Sequence, residues 1–149
     1  MQKRIYVASS WRNAIQPCIV DCCRSFGHIV YDFKNPPKGT GFGWSAMDAN
    51  WKDWSLLQWI DNINDPIAQA GFDSDFNAMC NADVCILVMP GGRSAHTEAG
   101  WMKGQGKQVW VYFEPEHVVE PELMYKIFDG IIVGLRELKL ILEHYAFKQ

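Results

Sequence analysis

The feature that most constrains the fold is a continuously apolar run, Val84-Cys-Ile-Leu-Val-Met89. A strand without polar alternation is buried on both faces, which is typical of the centre of a parallel sheet covered by helices. Four more short, β-prone apolar runs occur at residues 4–10, 28–33, 109–113 and 130–133. Segments predicted to be helical lie between these runs at residues 15–26, 66–82 and 95–104, and another follows the last run at residues 135–145.

This alternation predicts an α/β protein with a three-layer α/β/α, Rossmann-like (flavodoxin-like) fold and a five-stranded parallel sheet in the order 2-1-3-4-5. The length of 149 residues fits a single domain, which we expect to span residues 1–149. In this order, the direction in which successive strands are added to the sheet reverses between strands one and three. Ligands bind at such a reversal, beyond the carboxyl ends of the strands.

Charge and hydropathy exclude several classes of function. The chain has 14 Lys and Arg against 17 Asp and Glu, whereas a protein that binds nucleic acid polymers needs a basic face. No apolar run approaches the roughly 18–20 residues of a membrane span, and the N-terminus lacks the apolar stretch of a secretory signal. We therefore expect a cytoplasmic protein with no membrane partner.

The five cysteines form no CxxC motif, and their odd number does not suggest a disulfide framework. We interpret them as buried thiols that act as small apolar residues, with a metal site or a redox pair as the alternative. No metal or cofactor is expected.

The segment Gly91-Gly-Arg-Ser-Ala-His-Thr-Glu98 follows the third strand and leads into a helix. Its glycines let backbone N–H groups approach a ligand, and the helix dipole favours the ionised form of Glu98 about one turn in. An ionised carboxylate beside a cleft can attack an electrophilic carbon or stabilise a cation. The alternative is that Glu98 only stabilises its helix.

Asp75 lies between Phe72 and Phe76 on a mostly apolar helix, which indicates either a carboxylate at the edge of a pocket or a solvated helix face. At the ends of strands one and three, arginine side chains can bind a phosphate or carboxylate, or pair with an acid. His96 is either a proton carrier or a structural histidine. The candidate binding residues at these two strand ends are Ser9, Ser10, Arg12, Gly91, Gly92, Arg93, Ser94 and His96.

Residues 34–50 are rich in proline and glycine, and a loop of this length inside a compact domain is usually functional. A helix is expected from Trp51 to near Asn64, and a short one at residues 120–125. Aromatic faces stack on nucleobases, so Trp44, with Trp51 and Trp54, either binds a base or packs within the protein.

Three segments resemble the nucleoside 2-deoxyribosyltransferase-like superfamily, which includes deoxynucleoside 5′-monophosphate N-glycosidases. They are RIYVASSWR at 4–12, FDSDFNAMCNADVCILV at 72–88 and RSAHTEAGWMKGQGKQV at 93–109. The resemblance implies that Glu98 is the nucleophile that attacks the anomeric carbon. It also implies that Asp75 contacts the sugar and assists proton transfer, and that Ser10 and Arg12 help to hold a 5′-phosphate.

The sequence therefore predicts an enzyme that cleaves or transfers the N-glycosidic bond of a nucleoside or nucleoside 5′-monophosphate. The resemblance further implies a homo-oligomer. Two alternatives remain open: a non-catalytic nucleotide-binding sensor, and an NAD hydrolase similar to the enzymatic TIR domains.

Overall fold

A five-stranded sheet forms the centre of the computed structural model, which describes residues 1–147. All four pairs of neighbouring strands are parallel, and their order is β2-β1-β3-β4-β5. The predicted fold class and strand order are therefore confirmed. The strands are β1 (Arg4–Ala8), β2 (Ile29–Asp32), β3 (Val84–Val88), β4 (Gln108–Phe113) and β5 (Gly130–Val133).

Helices cover both faces of the sheet, as expected for parallel strands joined by right-handed crossovers. The helices are α1 (Gln16–Ser25), α2 (Leu56–Asn62), α3 (Pro66–Asn81), α4 (Arg93–Gly104) and α5 (Gly134–Phe147). Three 3₁₀ turns lie between them, at Trp44–Ala46, Trp51–Asp53 and Leu123–Ile127.

Alternate residues of each strand point to opposite faces and divide the core in two. Ile5 and Val7 of β1 belong to the cluster that packs against α1 and α5. Tyr6 and Ala8 belong to the cluster on the other face, which packs against α3 and α4. Every residue of β3 is buried, in agreement with its continuously apolar sequence.

Two helices begin differently from the sequence-based expectation. Helix α4 starts at Arg93 rather than at Ala95, because Gly92 takes the extended conformation of an N-cap residue. Glu98 consequently lies in the second turn of α4. Helix α2 starts at Leu56 rather than at Trp51, because Trp54 is extended and Ser55 forms a capping box with Gln58.

The short helix expected at residues 120–125 is a 3₁₀ turn displaced to Leu123–Ile127, where the Glu122 side chain accepts a hydrogen bond from the backbone N–H of Met124.

The prediction of buried thiols holds for Cys23 and Cys85. It is wrong for Cys18 and Cys80, which are exposed on α1 and α3.

Within residues 1–147, no helix is both long enough and apolar enough to cross a membrane.

The segment 33–46, called here the covering segment, packs closely on α3. Gly71→Ala is expected to lower the free energy of unfolding by about 1–3 kcal/mol, because overpacking forces neighbours to move. The new methyl carbon would lie 2.6 Å from Cβ of Phe42. At Gly100, inside α4, a methyl carbon meets no atom within 4 Å, so Gly100→Ala should stabilise the protein by about 0.5–1 kcal/mol. Urea denaturation of the two variants measures both expected changes in the free energy of unfolding. Equal stability of the Gly71 variant and wild type would contradict the close packing of Phe42 on Gly71.

Candidate active site

Two carboxylates and two tyrosines meet on the sheet face covered by α3 and α4. Asp75 lies on α3 and Glu98 on α4, and both side chains are half-buried. Beneath them, Tyr6 of β1 and Tyr31 of β2 are register partners, and their rings stack with centroids 5.4 Å apart. The topology therefore brings together residues from four elements that are distant in sequence.

Asp75 is held by a hydroxyl from β2. The Tyr31 hydroxyl donates a hydrogen bond of 2.7 Å to Oδ1 of Asp75, and it lies 2.8 Å from Oγ of Ser74. Burial raises the pKa of Asp75 above its ordinary value, and the hydrogen bond from Tyr31 acts against this shift by favouring the ionised form.

Glu98 titrates near neutrality. Its pKa is raised from 4.5 to about 7: burial is the largest cause, the negative charge of Asp75 adds to the rise, and a hydrogen bond from the Tyr6 hydroxyl acts against it. Burial and the charge of Asp75 thus shift the pKa of Glu98 in the direction opposite to that expected from the helix dipole alone. The dipole acts mainly within the first turn, whereas Glu98 is in the second turn and has lost much of its hydration.

The hydroxyl of Tyr6 is buried beside Glu98 and, within the described chain, makes no hydrogen bond of normal geometry. The Glu98 carboxylate is the neighbouring group that this hydroxyl acts on, since the interaction of the two shifts both of their pKa values. Cys85 is the register partner of Tyr6 on β3, and burial raises the pKa of its thiol, which is therefore neutral near pH 7.

A cavity of about 460 Å³ lies between the covering segment and α3. This volume is within the range of small-molecule sites. Tyr31, Ser74 and Asp75 belong to the lining, whereas Glu98 lies outside it and interacts electrostatically with Asp75. The remaining lining residues are Phe33, Pro36, Lys38, Gly39, Thr40, Gly41, Phe42, Ala46, Pro66, Ile67, Ala70 and Gly71.

The predicted residues at the end of β1 lie outside this lining. Ser9 donates a hydrogen bond of 2.8 Å to the carbonyl of Val88, which joins β1 to the end of β3. The Oγ atom of Ser10 accepts a bond from the backbone N–H of Arg12. The Arg12 side chain is exposed, and no salt bridge involves it in the part of the chain that the structure describes.

The predicted residues after β3 also lie outside the cavity lining, at the turn that starts α4. Both ring nitrogens of His96 are engaged, one 2.8 Å from the Gly92 carbonyl and one 2.8 Å from the Tyr125 hydroxyl. These two contacts are compatible with a structural histidine, and the role of His96 as a proton carrier stays a prediction. Gly91 is half-buried, whereas Gly92, Arg93 and Ser94 are exposed.

Trp44 packs inside the covering segment rather than lining the cavity. Its ring meets Phe42 edge-on at 5.0 Å and Trp54 at 5.7 Å between centroids. The indole N–H of Trp54 donates a bond of 2.8 Å to Asp48. The tryptophans thus support Phe42, which does line the cavity.

Sequence reasoning missed Tyr6, Tyr31, Ser74 and Phe42. One signal was present: a tyrosine in an otherwise apolar strand carries a hydroxyl that requires a partner when it is buried. Within residues 1–147, no group of three or more His, Cys, Asp or Glu side chains is placed to hold a metal ion.

No protein-family model and no curated protein matches this sequence. Solved structures nevertheless share its fold. A 2-deoxyribosyltransferase from Bacillus psychrosaccharolyticus is 17% identical with a TM-score of 0.62, and the match covers 91% of this chain and 90% of that one. A conserved protein from Enterococcus faecalis V583 is 11% identical with a TM-score of 0.59 and coverage of 97% and 99%. A CMP N-glycosidase from Clostridium botulinum is 16% identical with a TM-score of 0.49 and coverage of 96% and 98%.

Proposed function

We propose that this protein is an enzyme that cleaves or transfers the N-glycosidic bond of a nucleoside or nucleoside 5′-monophosphate. The observation that carries the proposal is the pair of half-buried carboxylates, Asp75 and Glu98, which interact electrostatically next to a cavity of about 460 Å³. The fold shared with a 2-deoxyribosyltransferase supports this chemistry.

Breaking the bond between the sugar and the base builds positive charge on the sugar ring. In the proposed reaction a carboxylate oxygen of Glu98 bonds to the anomeric carbon while the electron pair of the C–N bond leaves with the base. The departing base takes a proton from solvent, with Asp75 assisting the transfer. In a hydrolase, a water oxygen then bonds to the anomeric carbon, the bond to Glu98 breaks with its electron pair returning to the carboxylate, and the proton of the water goes to solvent. In a transferase, the nitrogen of a second base attacks in place of water and loses its proton.

The surroundings of Glu98 suit a nucleophile. A carboxylate that has lost part of its hydration needs less solvent reorganisation when it attacks carbon, and its raised pKa indicates this loss. The neighbouring Tyr6 hydroxyl can orient the carboxylate by donating a hydrogen bond to it.

For the phosphate of a nucleotide we propose Ser10 and Arg12, with further contacts from the Gly91–Ser94 turn. A guanidinium binds phosphate with two parallel hydrogen bonds. The exposed Arg12 lies at the same edge of the sheet as the start of α4. A preference for monophosphates over nucleosides that Arg12→Ala abolishes would support this part of the proposal.

The direct test is to incubate the purified protein with a panel of ribonucleosides, 2′-deoxyribonucleosides, their 5′-monophosphates and NAD, and to separate the products by chromatography. We expect free nucleobase, and adding a second base distinguishes transfer from hydrolysis. Tight binding of a ligand that stays intact would instead support the sensor. Release of nicotinamide from NAD alone would support the NAD hydrolase.

We also propose a homo-oligomer, because α2 has no buried residue and presents a wide apolar surface. Leu57 is 72% exposed, and Ile60 and Ile63 are each 43% exposed. Ile60→Lys is expected to shift the protein to a smaller species in analytical ultracentrifugation, whereas Lys at the neighbouring exposed Asp61 should not. Equal sedimentation of wild type and the Ile60 variant would exclude this surface as the interface.

A further inference from the structure

The hydroxyl of Tyr31 forms hydrogen bonds with two adjacent residues of α3, and these bonds make a hydrogen-bond chain with one direction of donation. It donates its single proton to Oδ1 of Asp75 at 2.7 Å and lies 2.8 Å from Oγ of Ser74. Since a phenol has only one proton to donate, the short contact with Ser74 requires the serine hydroxyl to donate to Tyr31. The chain therefore runs from Ser74 through Tyr31 to Asp75.

This hydrogen-bond chain uses one carboxylate oxygen of Asp75 and leaves the other available to accept a hydrogen bond. In the described part of the protein, Oδ2 of Asp75 has no hydrogen-bond partner, and the side chain lines the cavity. Tyr31 and Ser74 line the same cavity. One acceptor oxygen is thus fixed by the protein, and the second can receive a donor from a bound ligand.

The ring of Tyr31 is itself held in place. It stacks on the Tyr6 ring with planes only 12° apart, and Tyr6 is completely buried beside Glu98. A side chain fixed by packing presents its hydroxyl in one direction, which is the condition for accurate positioning of a reacting group.

We propose that Tyr31 is a positioning residue that orients Asp75 so that its free oxygen accepts a hydrogen bond from a sugar hydroxyl of the substrate. This inference rests on the proposed function. It assigns a role to a residue on β2, an element to which the sequence analysis attributed no part of the chemistry.

The charges around Asp75 agree with such a role. Glu98 faces it from α4 with the same sign of charge, Tyr6 lies beneath, and Lys38 of the covering segment lines the same cavity. The Tyr31 hydrogen bond lowers the pKa of Asp75, against the effect of burial. Losing that bond should therefore make Asp75 protonate at a higher pH.

Tyr31→Phe tests the proposal because it keeps the ring and removes the hydroxyl. By ¹³C NMR, the carboxyl signal of Asp75, assigned by its absence in Asp75→Asn, is expected to titrate at a higher pH than in wild type. On a cleaved nucleoside, kcat/KM is expected to fall by about tenfold to a hundredfold, the scale of a misplaced catalytic group. Ser74→Ala should shift both quantities in the same direction by less.

Tyr112→Phe is the matched control. The Tyr112 hydroxyl donates a bond of 2.7 Å to Glu114, and its ring belongs to the core on the opposite sheet face. This variant should leave the Asp75 titration and kcat/KM unchanged. An unshifted Asp75 titration in Tyr31→Phe would overturn the positioning role even if wild type cleaves nucleosides. If the Asp75 titration shifts in Tyr31→Phe but the wild-type protein cleaves no nucleoside, the catalytic proposal is overturned. The hydrogen bond between Tyr31 and Asp75 would then exist in a protein that lacks the proposed activity.

Discussion

Replacing Glu98 with glutamine is expected to abolish the release of free base and, at the same time, to stabilise the folded protein above pH 7. Glutamine keeps the shape of the side chain but has no charge, so it cannot act as the nucleophile. The loss of kcat should reach about a thousandfold or more, as when other hydrolases lose their nucleophile. Retention of wild-type base release would exclude the proposed mechanism.

The gain in stability follows from the raised pKa of Glu98. The carboxyl titrates at 4.5 when unfolded and at about 7 when folded, so between these values the folded state binds more protons than the unfolded state. Stability therefore falls as the pH rises through this window, and the loss is complete above about 7. At about 1.4 kcal/mol per pKa unit, the cost of the buried charge is about 3–4 kcal/mol.

Urea denaturation at pH 8 and at pH 4 separates the effect of the Glu98 charge on stability from an effect of the substitution that does not depend on pH. Glu98→Gln should be more stable than wild type at pH 8 and nearly equal to it at pH 4, where wild-type Glu98 is protonated in both states. Glu143→Gln, at an exposed position of α5, is the control and should change stability little at either pH. Destabilisation of the Glu98 variant at pH 8 would show that the carboxylate is stabilised in the folded protein.

The strands and helices were predictable because the strong signals are local, and the strand order followed from the fold class that their alternation indicates. The apolar run of β3 can only be a doubly covered strand, and Asp65-Pro66 begins α3 as a cap and a first helical residue. The sequence also contains a signal for the start of α2, since Ser55 and Gln58 have the spacing of a capping box. The helical spacing of the tryptophans suggested an earlier start, but the extended conformation of Trp54 prevents it.

Much of the candidate site was not predictable, because it depends on register and on approach between segments. Tyrosine is an ordinary residue in strands, and only the pairing of β1 with β2 places the rings of Tyr6 and Tyr31 together. The cavity wall depends on Phe42 lying against Gly71, and no periodicity in a proline- and glycine-rich segment indicates that contact. The direction of the Glu98 pKa shift likewise depends on burial, which the position in the helix does not reveal.

The second large effect is expected in the pH dependence of wild-type turnover. If the ionised form of Glu98 is the nucleophile, kcat/KM rises about tenfold per pH unit below its pKa and reaches a plateau above it. With the pKa at about 7, the rate at pH 5 should be about a hundredfold below the plateau. A rate that instead falls as the pH rises through 7 would identify Glu98 as a proton donor.

Asp75 sets part of this midpoint, because its negative charge raises the pKa of Glu98. In Asp75→Asn, the Glu98 carboxyl, followed by ¹³C NMR, should titrate below the wild-type midpoint. Asp73→Asn, at an exposed position of the same helix, should leave the midpoint unchanged. An equal shift in both variants would indicate a long-range effect of net charge. A shift confined to Asp75→Asn, with a matching displacement of that variant's rate profile relative to wild type, would tie turnover to the coupled pair of carboxylates rather than to either one alone.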